Sequence, residues 1–328
     1  MKKYHSLTIN YKNDKHSAVL CTNNFRNIKK NEVLVKIKYS SLNYKDALSV
    51  TGKAKIIRGE KMIPGLDFSG IVVESSSKKF IKGEKVLATG SGLGETINGG
   101  FSEYAYVPDN ILINIPKNLT LLSVMQIGTA GFTAAISIEK MLLNKQKINS
   151  GPIVITGASG GVGSHCINIL NNIGFKTIAV TRNKKSISYL KDIGASNVTM
   201  YPDKLIKKPL NKQLFAGAID NVGGEVLDWV LKSTKENGNI VSVGMASSHV
   251  LNTTVFPLIM RGVNILGISS TNYPNKDRNK VWRNLSKKYK PTKLRKINKN
   301  CISLGEVIKC SEDLIDGNNF GRTILKIS

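Results

Sequence analysis

The chain has 328 residues, 41% of them hydrophobic, and carries a formal net charge of +26 from 48 Lys and Arg against 22 Asp and Glu. That length suggests two domains, and the apolar fraction suffices for packed cores. Four cysteines without Cys-x-x-Cys spacing (Cys21, Cys166, Cys301, Cys310) give neither a disulfide framework nor a cysteine-built zinc site.

At the N-terminus, residues 1–10 turn polar after two lysines, without the apolar stretch of a secretory signal. No uninterrupted apolar run is expected to span a bilayer, so the expectation is a soluble cytoplasmic protein. Residues 33–39, 69–74, 85–89 and 101–107 read as short strands, several with apolar residues at alternate positions, and together suggest a small β-barrel or sandwich. The rhythm changes near residue 120. Residues 121–143 are apolar and helix-like, although Gly128 and Gly131 interrupt them. Strand patterns at 153–156, 177–181, 197–201, 217–221, 239–243 and 264–269 then alternate with helical patterns at 163–173, 186–193 and 226–234. Such alternation predicts βαβ units and a doubly wound parallel sheet, the Rossmann arrangement of an α/β protein. Cys166 and His165 fall on the first of these helices, Cys166 as a buried small hydrophobe and His165 as a packing or surface residue. The dense basic stretch from Lys276 to Lys299, around Trp282 and Tyr289, reads as a solvated helix face plus loop, since no nucleic-acid module accompanies it. From about residue 290 the tail returns to β-like segments such as 323–327. The expected domains are therefore residues 121–289 for the Rossmann unit and residues 1–120 with 290–328 for a discontinuous β domain.

Chemistry enters first at Gly157-Ala158-Ser159-Gly160-Gly161-Val162-Gly163, which follows a strand and opens a helix. That context is what a dinucleotide fingerprint requires: glycines permit the turn and the close approach of pyrophosphate, and the helix N-terminus adds its dipole. Ser159, Gly160, Gly161 and Val162 are the expected phosphate contacts. NAD-binding chains place an acid about twenty residues further on, for the ribose 2′-hydroxyl. Here Thr181-Arg182-Asn183-Lys184-Lys185 stands instead, with no carboxylate. Arg182, with Thr181 and Asn183 as hydrogen-bond donors, is expected to receive a 2′-phosphate, which makes NADPH the expected cofactor. Asn221, Met245 and Ser270, each in a loop after a later strand, are expected around the same cofactor.

Four segments occur in order: Ser40-Ser41-Leu42-Asn43-Tyr44-Lys45-Asp46-Ala47, Pro64-Gly65-Leu66-Asp67-Phe68-Ser69-Gly70, Gly128-Thr129-Ala130-Gly131-Phe132-Thr133-Ala134 and Gly157–Gly163. Together they resemble the quinone oxidoreductase-like branch of the medium-chain dehydrogenase/reductase superfamily, nearest to its bacterial acrylyl-CoA reductase group, essentially end to end. The resemblance implies a GroES-like catalytic domain beside the Rossmann domain, a homodimer joined through Rossmann edge strands, and reduction of an activated C=C bond by NADPH. Zinc members of the superfamily carry Cys in the segment equivalent to Asn43–Asp46 and Gly-His-Glu where this chain has Gly65-Leu66-Asp67. No metal is expected, and the four histidines (His5, His16, His165, His249) show no ligand-like spacing.

Without a Lewis acid, hydrogen-bond donors must stabilise the enolate oxygen that forms as hydride reaches the β-carbon. Asn43, Tyr44 and Asp46 are the expected catalytic residues, with Tyr44 also touching the cofactor. The alternative is that Asn43-Tyr44-Lys45-Asp46 merely caps a helix. Thr129 and Thr133 are expected to face the nicotinamide. Asp67 is read as structural or functional alike, and Arg322 as a contact to a phosphate of NADPH or CoA or a surface ion pair. The expected substrate is a short enoyl-CoA, acrylyl-CoA above all, with quinones or enones as the alternative. A non-catalytic NADPH-binding protein with nucleic-acid affinity is the reading from another class; no membrane partner is expected.

Overall fold

A computed structural model describes residues 3–13, 15–202 and 208–328. By their contacts they form two units, one of residues 1–129, 270–286 and 298–328, the other of 130–269 and 287–297. The tail thus joins the first unit only from residue 298, and residues 270–286 accompany it.

The first unit is a GroES-like β domain. Among its described residues the larger sheet runs in the order Asn298–Ile302, Arg322–Lys326, Glu32–Leu42, Asp67–Ser75, Lys85–Thr89 and Ile113–Asn114, with Tyr104–Pro108 also paired to Glu32–Leu42. Val33, Val35 and Ile37 alternate onto one face and pack on Phe68, Val72, Val86 and Ala88. A second core joins Leu7, Ile9, Ala47, Val50, Ile57 and Phe101 with Val307 and Leu325 from the C-terminal part of the chain. A smaller sheet sets Lys3–Lys12 between Lys15–Asn24 and Lys61–Met62.

The second unit has a parallel sheet in the order Asn197–Met200, Thr177–Thr181, Ile153–Ile155, Phe215–Asp220, Thr234–Ser242, Asn264–Gly267 among the described residues. In chain order that is 3-2-1-4-5-6, the Rossmann sequence of strands, and its direction reverses between Ile153–Ile155 and Phe215–Asp220. Both strands are buried along their length, as parallel strands covered on two faces must be. The strand Thr234–Ser242 begins five residues before its periodic part, because Asn237 (φ 57°) and Gly238 turn the chain inside it. A Cβ on Gly238 would stand 2.3 Å from the Thr234 side chain.

The helix Leu121–Leu143 starts where Thr120 Oγ1 accepts the Ser123 N–H, and it breaks at Gly128 (φ 53°, ψ −163°). By length and composition it could cross a membrane, which corrects the expectation that no such stretch exists; most of it is buried in the protein, as a core helix is. The basic stretch is also not wholly solvated. Helix Asn275–Leu285 buries Arg278, Val281, Trp282 and Leu285 at helical spacing, and Tyr289 is buried as well. Cys166 and His165 both lie in the interior.

Candidate functional site

At the switch point of the parallel sheet two loops meet. Gly157 takes φ 55°, and a Cβ there would touch Asn221 Cβ at 3.2 Å and Val222 Cγ2 at 3.3 Å. Gly163 lies so close to the strand exit that a Cβ would stand 2.6 Å from the Gly157 carbonyl oxygen. Side chains at either position would push the turn apart. Ser159, Gly161 and Val162 are half-buried and Gly160 is exposed, so the start of helix Gly161–Asn172 presents its first N–H groups outward. Here a Cβ-free cradle, a helix dipole and exposed donors fit a dinucleotide's phosphates.

The opposite loop is held by Asp220, which is fully buried. Asp220 accepts the Thr156 hydroxyl at 2.5 Å and the Gly223 N–H at 2.8 Å, and Asn221 donates through Nδ2 to the Thr156 carbonyl at 2.8 Å. Burial raises the Asp220 carboxyl above its ordinary range, while these donors oppose the rise. Asn221 is thus placed at the cradle with its amide nitrogen engaged.

Thr181, Arg182 and Asn183 follow the second strand. Thr181 is buried and accepts the Asn183 N–H at 3.1 Å, which shapes the turn; Arg182 is exposed. The Arg182 guanidinium lies 6.0 Å from the centroid of the Tyr201 ring, and the Tyr201 hydroxyl accepts the Gly157 N–H at 3.0 Å. Tyr201 therefore links the glycine loop to the cationic turn. Sequence reading missed it, because a single Tyr at the end of a short strand carries no local signal. Met245 is 70% exposed and Ser270 half-buried.

The first unit holds a different assembly. Asp67 is wholly buried and its Oδ2 accepts from Ser41 Oγ at 2.6 Å, Asn43 Nδ2 at 3.0 Å and the Thr129 N–H at 2.9 Å; Thr129 Oγ1 donates to its other oxygen. Arg322, 3% exposed, places Nη2 3.7 Å from that carboxylate and donates through Nη1 to Asn43 Oδ1 at 2.9 Å. Arg322 is therefore neither a surface ion pair nor a phosphate contact: its guanidinium is committed inside the unit. Asn43 Nδ2 also donates to Asp46 Oδ2 at 3.0 Å, so one amide bridges two carboxylates. Asp46 further accepts the N–H of Asn43 at 2.9 Å and of Leu66 at 2.9 Å. Burial, then the charge of Asp67, pushes the Asp46 carboxyl up to about 7 against those N–H donors.

The Asp46 bond to the Asn43 N–H is the returning half of a capping box at this helix start. Asn43 and Asp46 turn inward; Tyr44 between them remains 42% exposed. Thr129 belongs to the Asp67 assembly, and Thr133 is buried one helical turn later. Arg278 is a further residue missed from sequence: its Nη1 donates to Thr89 O at 2.8 Å and Nη2 to Ser270 O and Thr271 O at 2.6 and 3.0 Å. Burial pulls its guanidinium down to about 10, which nearby Asp67 opposes. It ties the loop that carries Ser270 to the strand end opposite Asp67 in the sheet register.

Residues 161–287 match the family model described as zinc-binding dehydrogenase, and residues 29–117 the alcohol dehydrogenase GroES-like domain. The donor set does not fit zinc. Neither Leu66 nor the segment Asn43–Asp46 offers a thiolate or imidazole, and a guanidinium beside Asp67 opposes a second cation there. Among the described residues no group of three or more His, Cys, Asp or Glu side chains is arranged to hold a metal ion. The chain is 40% identical over 297 residues to "Probable acrylyl-CoA reductase AcuI" of Escherichia coli (strain K12), covering 90% of this chain and 91% of that protein. It is 38% identical over 300 residues, 91% of each, to "Putative quinone oxidoreductase YhfP" of Bacillus subtilis (strain 168). The yhdH oxidoreductase from Salmonella enterica in complex with NADP matches the fold with a TM-score of 0.94 at 37% identity, over 99% of this chain and 100% of that one. The yhfP protein of Bacillus subtilis with NAD bound does so at 0.93 and 36%, over 99% and 100%. With relatives this similar along nine-tenths of its length, and with both domain models matched, the chain belongs to the medium-chain dehydrogenase/reductase family, in the branch of the acrylyl-CoA reductases and quinone oxidoreductases.

Proposed function

We propose that this protein reduces the activated C=C bond of a short enoyl thioester, acrylyl-CoA first among them, at the expense of NADPH. The observation that carries the reading is the 40% identity to a protein named as an acrylyl-CoA reductase, on a chain with Leu66 where zinc members carry His and no Cys in the segment Asn43–Asp46. The NADP complex of the Salmonella protein and the acid-free Arg182 turn support NADPH. The backbone from Gly157 to Gly163 would hold the pyrophosphate, and Arg182 with Tyr201 the 2′-phosphate. When bound, NADPH supplies the hydride.

The protein's own task is to stabilise charge on the thioester oxygen while the β-carbon gains hydride, and to let a proton reach the α-carbon. Tyr44 is the group we assign to that oxygen, because its hydroxyl is a donor on an exposed ring at a helix start. Asn43 and Asp46 act as positioning residues: their bonds to one another and to Asp67 fix the turn from which Tyr44 projects. The product is the saturated thioester, with one hydrogen delivered as hydride and one as a proton.

Quinone reduction is the competing reading, favoured by the YhfP likeness. Initial rates followed by NADPH absorbance decide between them. We expect kcat/KM for acrylyl-CoA to exceed that for 1,4-benzoquinone by roughly 100-fold. Equal values, or the reverse order, remove the thioester reading.

The same family likeness leads us to propose a homodimer. The edge strand Asn264–Gly267 pairs only with Thr234–Ser242 among the described residues, and beside it in sequence helix Phe256–Arg261 exposes Phe256, Ile259 and Met260. A twofold copy would pair the edge and cover that apolar face.

A further inference from the structure

The segment after helix Tyr44–Val50 reads Thr51-Gly52-Lys53-Ala54-Lys55-Ile56-Ile57-Arg58-Gly59-Glu60-Lys61, four cations against one acid within eleven residues. Although it has almost no regular secondary structure, its backbone is fixed from several sides. Ala54 donates its N–H to Leu48 O and accepts the Tyr11 hydroxyl, both at 3.3 Å. Arg58 N–H donates to Glu95 O at 2.9 Å, and Glu60 O accepts the Tyr11 N–H at 2.7 Å. Ile57 is 2% exposed and packs with Leu7, Ile9 and Val50.

On this anchored loop Lys53, Lys55, Arg58 and Lys61 are all exposed, and none of them has a carboxylate within ion-pair distance among the described residues. The contrast with Lys45 is close at hand: it pairs with the Glu95 carboxylate, while the backbone oxygen of the same Glu95 holds Arg58. Arg58 is therefore joined through Glu95 to Lys45, the residue that follows Tyr44 in the chain, and the Glu95 carboxylate is already taken. An anion docked here would gain from charges whose backbone is ordered in advance.

We infer that Lys53, Lys55 and Arg58 bind the phosphates of a coenzyme A thioester whose acyl end lies at Tyr44. The inference rests on the reaction proposed above and adds to it a recognition site for the part of the substrate that does not react. Arg58 supplies a planar fork suited to a phosphate, and the lysines supply point charges. Binding energy from that remote end holds the thioester in place during reduction.

The test is the triple substitution Lys53→Gln, Lys55→Gln and Arg58→Gln, with Lys78→Gln, Lys82→Gln and Lys117→Gln as a control of equal charge change on exposed lysines elsewhere in the unit. Coenzyme A is titrated calorimetrically into the NADPH-saturated protein. KM is measured for acrylyl-CoA and for the acrylyl thioester of N-acetylcysteamine, which lacks the phosphates. Exposed charge pairs of this kind predict that the loop variant binds coenzyme A about tenfold more weakly. The preference for acrylyl-CoA over the truncated thioester should fall by a similar factor. A misfolded variant would lose both substrates together and leave that ratio in place. Equal coenzyme A affinity in parent and loop variant overturns the site, as does an equal loss in the control. If neither thioester is reduced while coenzyme A binding still depends on the loop, the reaction falls and the site stands; acrylyl-CoA reduced with an unchanged ratio removes the site and leaves the reaction.

Discussion

Asp67 joins four stretches of chain through one carboxylate: Ser41 and Asn43, its own strand, Thr129, and Arg322. A buried charge is tolerated only when donors and a countercharge surround it, and here both are present. Among the described residues no cation forms an ion pair with Asp46 beside it, and burial and the Asp67 charge push it up to about 7. A carboxyl that ionises later in the fold than in the open chain contributes stability while protonated. That contribution is complete below about pH 4 and is lost as the pH rises through about 7. Asn at this position mimics the neutral acid. Urea unfolding between pH 5 and 8 should therefore show stability falling with pH more steeply in the parent than in Asp46→Asn. Parallel curves would show that Asp46 ionises normally.

Among the elements, the helix Leu121–Leu143 shows how one residue sets a junction. Gly128 adopts φ 53°, where L side chains are strained, and a Cβ would lie 2.5 Å from Arg322 Nη2, 2.7 Å from Asp67 Oδ2 and 2.9 Å from Ser41 Oγ. Gly128→Val would add both the backbone strain and the collision, for a loss of about 2–4 kcal/mol in urea unfolding. A loss below about 1 kcal/mol would mean that the Asp67 assembly can move aside. The helix itself was legible in the sequence, and so was its interruption at Gly128, whereas Gly131, read as a second interruption, is helical. What the break accommodates was not legible, because Arg322 stands almost two hundred residues further along the chain. Similarly, apolar spacing located the strands but not the Tyr201 hydroxyl on the glycine loop, a contact 44 positions apart in sequence.

For the whole molecule, the charge of +26 and the apolar face around residues 255–265 pull in different directions. Spread charge keeps copies apart, whereas Ile259, 74% exposed, and Met260, 63% exposed, favour being covered. We expect light scattering to give twice the chain mass for the parent and the single mass for Ile259→Asp with Met260→Asp. A monomeric parent at micromolar concentration would remove the dimer.

The sequence by itself determined what short-range physics controls. Strand and helix periods, the glycine turn before a helix, and the missing acid after the second strand each lie within a few residues of one another. The α/β class, the Rossmann order and the glycine turn at 157–163 follow from them. Tertiary structure alone decided which polar side chains turn inward. Arg322 and Asn43 are 279 positions apart, and Arg278 and Thr89 are 189 apart, yet each pair shares a hydrogen bond. Chain closure over such distances leaves no periodic trace, since a buried guanidinium reads like any other arginine until its acceptors surround it.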